Sequence, residues 1–157
     1  VGDKSQMQPY LKSASSALLD RIQVVHTLDV VRDEDNPSHV LRNGKSSSMY
    51  MAVELLQSER VEAMVSAGNT GALLMIGRHL LKTISGIQRP AIVVSIPGAT
   101  RQCFLLDVGA NLECSAQQLF EFAVMGSVLA ESLQGEVASV GLLNIGSEQF
   151  KGTVDVR

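Results

Sequence analysis

Three clusters of residues in this sequence have the types and spacing that chemistry needs. The first is Ser66-Ala67-Gly68-Asn69-Thr70-Gly71, which packs two glycines, two hydroxyls and an amide into six residues. At a turn from strand to helix, such a run bares backbone N–H groups at the positive end of the helix, a geometry that attracts phosphate. A tight turn with no ligand would use the same residues. The lysine of a P-loop and the glycine spacing of a dinucleotide fingerprint are both absent, so the motif does not indicate a nucleotide. The second cluster is Asp107 with Asn111, a carboxylate and an amide separated by Gly109 and Ala110 at the end of an apolar run. A loop-ordering aspartate and a helix-capping asparagine would read the same way. The third is Asn144, Glu148 and Lys151, set between Gly146 and Gly152. A lysine at an anion site acts as a point-charge clamp on phosphate, although most lysines are simply solvated.

Other candidates carry less. Cys114 stands at an expected helix start, where a thiolate would be stabilised and could accept an acyl group. No histidine or other base is placed beside it, and a buried or capping cysteine is the commoner case. His26, His39 and His79 share no motif and receive no role. Met49, Met51, Met64, Met75 and Met125 fall on apolar runs and read as core.

The elements that must position these clusters follow from periodicity. Helical spacing runs from Lys4 to Leu19, with Pro9 acceptable if the helix begins near it. Ile22–Thr27 reads as a strand, and Asp29–Gly44 as a loop with Asp33-Glu34-Asp35-Asn36-Pro37 as its turn. Ser46-Ser47-Ser48 offers caps for a helix through Met49, Val53 and Leu56 to about Ser58. One syntax then repeats three times: an apolar run, a glycine-bearing polar loop and, in two cases, a helix. Ala63–Val65 leads into Ser66–Gly71 and a helix from Ala72 to Lys82; Cys103–Leu106 leads into Asp107–Asn111 and a helix from Ser115 to Leu133; Val140–Leu143 leads into Asn144–Glu148. An extra apolar run, Ala91–Ile96, follows Arg89-Pro90. Continuous apolar strands alternating with helices predict an α/β fold with a mostly parallel sheet covered on both faces. Ligands bind such sheets at the carboxyl ends of strands, where the three polar loops are expected to converge.

Composition bounds the rest. The 157 residues suit one domain, and an apolar fraction of 45% can fill a core. No apolar run approaches the roughly 20 residues that span a bilayer. Two cysteines, Cys103 and Cys114, make neither a disulfide framework nor a zinc spacing, which favours a reducing cytoplasm. A net charge of −3, 4% aromatics and no tryptophan speak against a nucleic-acid partner. The chain opens on Val1-Gly2-Asp3 and closes on Val156-Arg157, and both ends are expected to be cut from a longer protein.

Six spaced segments together resemble the phosphate acyltransferases of bacterial fatty acid and phospholipid synthesis. They are Ser47-Ser48-Met49, Val65 through Leu73, Gly86-Ile87-Gln88-Arg89-Pro90-Ala91, Leu106 through Asn111, Met125-Gly126-Ser127-Val128, and Leu142 through Glu148 with Lys151-Gly152. The resemblance covers nearly the whole chain in order. It implies a three-layer α/β/α fold like that of isocitrate dehydrogenases, present here as a fragment. It also implies a homodimer that moves a fatty acyl group from acyl carrier protein to inorganic phosphate; no metal or other cofactor is expected for that transfer, and the location is expected to be cytoplasmic. Peripheral contact with the inner face of the cell membrane would come from parts outside this sequence. Carried over by position, Lys151 and Asn69 look catalytic, and Ser66, Gly68, Thr70, Gly71, Asp107, Asn111, Asn144 and Glu148 look substrate-binding. The glycine-rich strand-turn and the Asp-Gly-Phe-Thr-Gly-Asn segment of the family are absent from this sequence.

Direct attack of phosphate on a thioester carbonyl fits a phosphate-friendly loop with no Cys/His pair. Acyl carrier protein is acidic, so docking on this mildly acidic chain would use a local patch, for which Arg78, Lys82 and Arg89 are candidates, although a solvated helix face reads alike. Two alternatives use the same residues: a short-chain acyl-coenzyme A:phosphate acyltransferase and a non-catalytic phosphate-binding module.

Overall fold

A computed structural model of the chain describes residues 1–111, 113–146, 151, 152 and 156. It divides into two compact units, Val1–Lys82 and Thr83–Arg157.

The first unit is helical. Its elements are α1 (Lys4–Leu11), α2 (Ser16–Leu19), α3 (Pro37–Asn43), α4 (Ser48–Gln57) and α5 (Thr70–Leu81). The helix expected over Lys4–Leu19 is broken in two. Ser13 Oγ donates to the Tyr10 carbonyl at 2.7 Å and Ser15 takes extended backbone angles as a new N-cap, so local side-chain bonding competes with the helical ladder. Pro9 lies inside α1, which starts five residues earlier at Lys4. The segment expected as loop contains α3. Asn36 Oδ1 accepts from the Ser38 and His39 N–H groups, and Pro37 occupies the first turn, where its missing N–H costs nothing.

Three helices make the core. Val40 of α3, Met49, Tyr50 and Val53 of α4, and Ala72 and Ile76 of α5 bury against one another together with Val31. Ala72 and Ile76 are four apart and so share a face of α5, and both are fully buried. Ser47 starts α4 as expected: it is buried, donates to the Gly44 carbonyl at 2.5 Å and accepts from the Tyr50 N–H at 3.3 Å. The stretch before α3 is stitched to this helix by Ser46 Oγ donating to Asp29 Oδ2 at 2.5 Å and the Ser48 N–H donating to the Asp29 carbonyl at 2.9 Å. The run expected as a strand at Ile22–Thr27 contributes one parallel bridge, Gly2 to His26.

The second unit holds the sheet, β1 (Val93–Pro97) and β2 (Gln102–Leu106), followed by α6 (Ala116–Gln134). The strands pair antiparallel, from Val93 opposite Leu106 to Pro97 opposite Gln102. A mostly parallel sheet was expected, and the pair found is a hairpin. Four residues suffice to join antiparallel neighbours, whereas a parallel partner must come from a distant crossover. Among the described residues, Ala63–Val65 and Val140–Leu143 join no sheet. The long helix expected from Ser115 is present, opened by a capping box in which Ser115 and Gln118 exchange bonds and closed by Gly135 in the left-handed conformation. It seats on β2 at Gly126, where a Cβ would meet Leu106 Cδ1 at 2.9 Å. Arg101 and Glu136 pair on the surface.

Truncating a fully buried isoleucine leaves a cavity as well as losing transfer energy. Ile76→Ala should cost about 3 kcal/mol in urea unfolding of the full-length protein, and a loss under about 1 kcal/mol would remove Ile76 from the core described here.

Candidate functional site

The Ser66–Gly71 turn lies in the first unit at the start of α5. Asn69 is its pivot. Its Oδ1 caps the helix by accepting from the Ala72 N–H at 2.9 Å, and its Nδ2 donates to the carbonyls of Arg32, Asp33 and Asp35 at 3.0, 3.1 and 3.1 Å. One amide therefore caps α5 and clamps the turn before α3. Ser66 Oγ accepts from the Gly68 N–H at 3.3 Å, a local bond that rounds the turn. Gly68 and Gly71 let it pack closely: a Cβ would meet Met49 Cε and Pro37 Cγ, each at 3.0 Å. The Thr70 and Gly71 N–H groups open the first turn of α5, where the helical ladder offers no acceptor. A cleft of about 300 Å³ adjoins this turn, lined among others by Val31, Met49, Met64 and Ser66.

The remaining candidates belong to the second unit. Asp107 follows β2 and has φ +60, a left-handed conformation that is strained for a residue with a side chain. It is held there by its own N–H donating to the Ile92 carbonyl at 2.7 Å. Its Oδ1 accepts from Asn111 Nδ2 at 3.1 Å and its Oδ2 from Cys114 Sγ at 3.5 Å. Asn111 Nδ2 also reaches the Pro90 carbonyl, and Arg89 reaches Asn111 Oδ1, both at 3.4 Å. Asp107 and Asn111 are thus brought together, within a network that adds Arg89 and Cys114. Burial, then the hydrogen bond to Asp107 and its charge, push the Cys114 thiol above its ordinary pKa, against a smaller opposing pull from Arg89. A thiol held protonated is a poor nucleophile.

Asn144 Nδ2 donates to the Lys151 carbonyl at 3.3 Å, so these two are also brought together, while Glu148 lies outside the described residues. Arg78 and Lys82 are exposed in the first unit and Arg89 in the second. Among the described residues no group of three His, Cys, Asp or Glu is placed to hold a metal ion. No described helix is long and apolar enough to cross a membrane.

A family model described as "Fatty acid synthesis protein" matches residues 1–157. The chain belongs to this family. Among similar curated proteins are the phosphate acyltransferases of Shewanella loihica, 50% identical, and Shewanella baltica, 48% identical; each aligns over the whole of this chain and 46% of its own length. The chain therefore spans about half the length of the curated relatives it matches.

Sequence reasoning missed Glu121 altogether. It is 4% exposed, and its Oε2 accepts from the Gln88 N–H at 2.7 Å. The available signal was one acidic residue at the apolar face of a long helix, between Leu119 and Phe122.

Two outcomes test this geometry. Asn69→Asp keeps a good helix cap but loses the amide donors, so it should destabilise nearly as much as Asn69→Ala, by about 2 kcal/mol in urea unfolding; near-wild-type stability of the aspartate would show that the clamp contributes little. Alkylation followed by mass spectrometry should label the exposed Cys103 before Cys114. Asp107→Asn should move the pH profile of Cys114 labelling downward, because removing the carboxylate charge no longer favours the protonated thiol.

Proposed function

We propose that the full-length protein transfers a fatty acyl group from acyl carrier protein to inorganic phosphate, yielding acyl phosphate for phospholipid synthesis. The observation that carries this reading is the family match over residues 1–157, with relatives named phosphate acyltransferase. The Ser66–Gly71 turn agrees with it chemically.

The reaction has three demands. Phosphate must be held, the thioester carbonyl oxygen must be stabilised as it gains charge, and the thiolate must leave. The first-turn N–H groups of Thr70 and Gly71 suit a phosphate oxygen, and Ser66 and Gly68 shape the turn that presents them. Asn69 serves by fixing that turn. Lys151 supplies positive charge to the developing oxyanion, supported by Asn144 and Glu148. Asp107 and Asn111 order the loop after β2. A phosphate oxygen attacks the thioester carbon, the tetrahedral oxyanion collapses, the C–S bond breaks, and the thiolate departs to take a proton from solvent. The upward shift of the Cys114 thiol, from burial and from Asp107, agrees with transfer that forms no acyl-enzyme intermediate.

The reading extends to architecture: a three-layer α/β/α fold with a mostly parallel sheet. The parallel bridge between Gly2 and His26, with α1 and α2 as its crossover, supports this. So do the apolar residues left open, with every position of β1 exposed and Val65 98% exposed. Acyl carrier protein as carrier, a homodimer and a cytoplasmic location with peripheral membrane contact come with the family resemblance.

Hydroxamate trapping on the full-length protein with palmitoyl-acyl carrier protein and phosphate should detect acyl phosphate. Lys151→Ala should lower kcat by on the order of a hundredfold or more. No product from the wild-type protein would overturn the reaction, and full activity in the variant would overturn the role of Lys151.

A further inference from the structure

The cleft beside the Ser66–Gly71 turn lies wholly within the first unit, and its lining is not what a phosphate needs. Its floor is the outer side of the helical core, Val31 and Met49 with Met64 packed against them, and Val30 and Ala52 add to its sides. Among the described residues no charged side chain lines it, and its polar atoms are backbone groups and the hydroxyls of Ser48 and Ser66. Ser48 and Ala52 stand four apart and so share a face of α4. Ala52 is partly buried and outside the core cluster, whereas its neighbour Val53 is buried within it. The cleft therefore follows the face of α4 that the core leaves free.

Turn and cleft meet at Met49. A Cβ on Gly68 would meet its Cε at 3.0 Å, and Gly68 is two residues from Thr70, at most about 7 Å along the chain. A phosphate oxygen held on the Thr70 and Gly71 N–H groups must come within about 3 to 3.5 Å of the thioester carbon that it attacks. The hydrocarbon attached to that carbon then begins beside Met49. Methionine thioethers are flexible and polarizable, and two of them in the floor can adapt to a chain that has no fixed shape.

We propose that this cleft seats the acyl chain next to its thioester end, and that the small side chain of Ala52 sets how far the chain enters. The inference rests on the acyl-transfer reading and names where the substrate of that reaction lies. The prosthetic arm of the carrier, which is rich in amides, is the occupant that the experiment must exclude.

The full-length protein is assayed with carrier loaded with butyryl or with palmitoyl groups. Ala52→Phe projects into the cleft from a position outside the core and denies the chain two or three methylenes, each worth roughly fourfold in affinity. It should lower kcat/KM for the palmitoyl substrate about thirtyfold more than for the butyryl one, with the phosphate KM little changed. Equal losses on both substrates would give the cleft to the prosthetic arm and overturn the inference. No loss on either, or a change confined to the phosphate KM, would overturn it as well. A second measurement uses the wild-type protein, so it holds even if the variant does not fold. Palmitoyl carrier with a diazirine close to the thioester, irradiated on the protein and mapped by mass spectrometry, should label residues 49–52 or Met64. Label confined to other peptides, or no label, overturns the seat. If the wild-type protein makes no acyl phosphate, the acyl-transfer reading falls by itself, and the same labelling still decides where the chain lies.

Discussion

The Asn69 side chain is the constraint on which the first unit turns. Its carbonyl oxygen satisfies an otherwise orphaned N–H of α5, while its amide gathers three carbonyls from residues 32–35 that precede α3. Asparagine is the residue that does both, since serine, threonine and aspartate can cap but cannot present an NH2 group. The consequence reaches the core, because α3 and α5 bury Val40, Ala72 and Ile76 in one cluster. It also reaches the candidate phosphate turn, whose first-turn N–H groups point where this cap orients the helix.

Local signals carried most of what could be read from sequence. Helices α4, α5 and α6 begin where serine and asparagine stand before apolar residues at helical spacing, and β2 lies on the apolar run that precedes Asp107. Asn36-Pro37 held an equally local signal, an N-cap followed by a proline at N1, but it was overshadowed by the acidic turn composition of Asp33–Asp35. The pairing of β1 with β2 was not legible, because strand partners are chosen by distance and connection rather than by composition. The same holds within the site. Asp107 and Asn111 announce themselves as polar residues after an apolar run, and they do meet. That Arg89 joins them depends on where a separate loop is pinned, which no spacing rule encodes.

The second unit concentrates its polar atoms where its backbone is least ordinary. Asp107 adopts a conformation that glycine would take more easily, and its carboxylate is engaged by both Asn111 and Cys114. Strain of this kind persists only when several bonds over-determine it. Here the bonds come from two loops and from the residue just before the Ser115 cap of α6. The surface of β1, by contrast, is apolar and open along its whole length. A strand of Val-Val-Ser-Ile has no polar face to give to water, so its composition anticipates cover on both sides.

The notch at Gly126 gives α6 a mechanical character. Leu106 fills the space where a side chain would stand, so one register of the helix on β2 is singled out: a shift of one turn, about 5.4 Å, would bring Phe122, Ala123, Leu129 or Ala130, each with a Cβ, against it. Glu121 lies five residues toward the N-terminus, about 7.5 Å along the same rod. There its Oε2 accepts the Gln88 N–H. In that sense the helix is a gauge block, cut to the depth of one leucine.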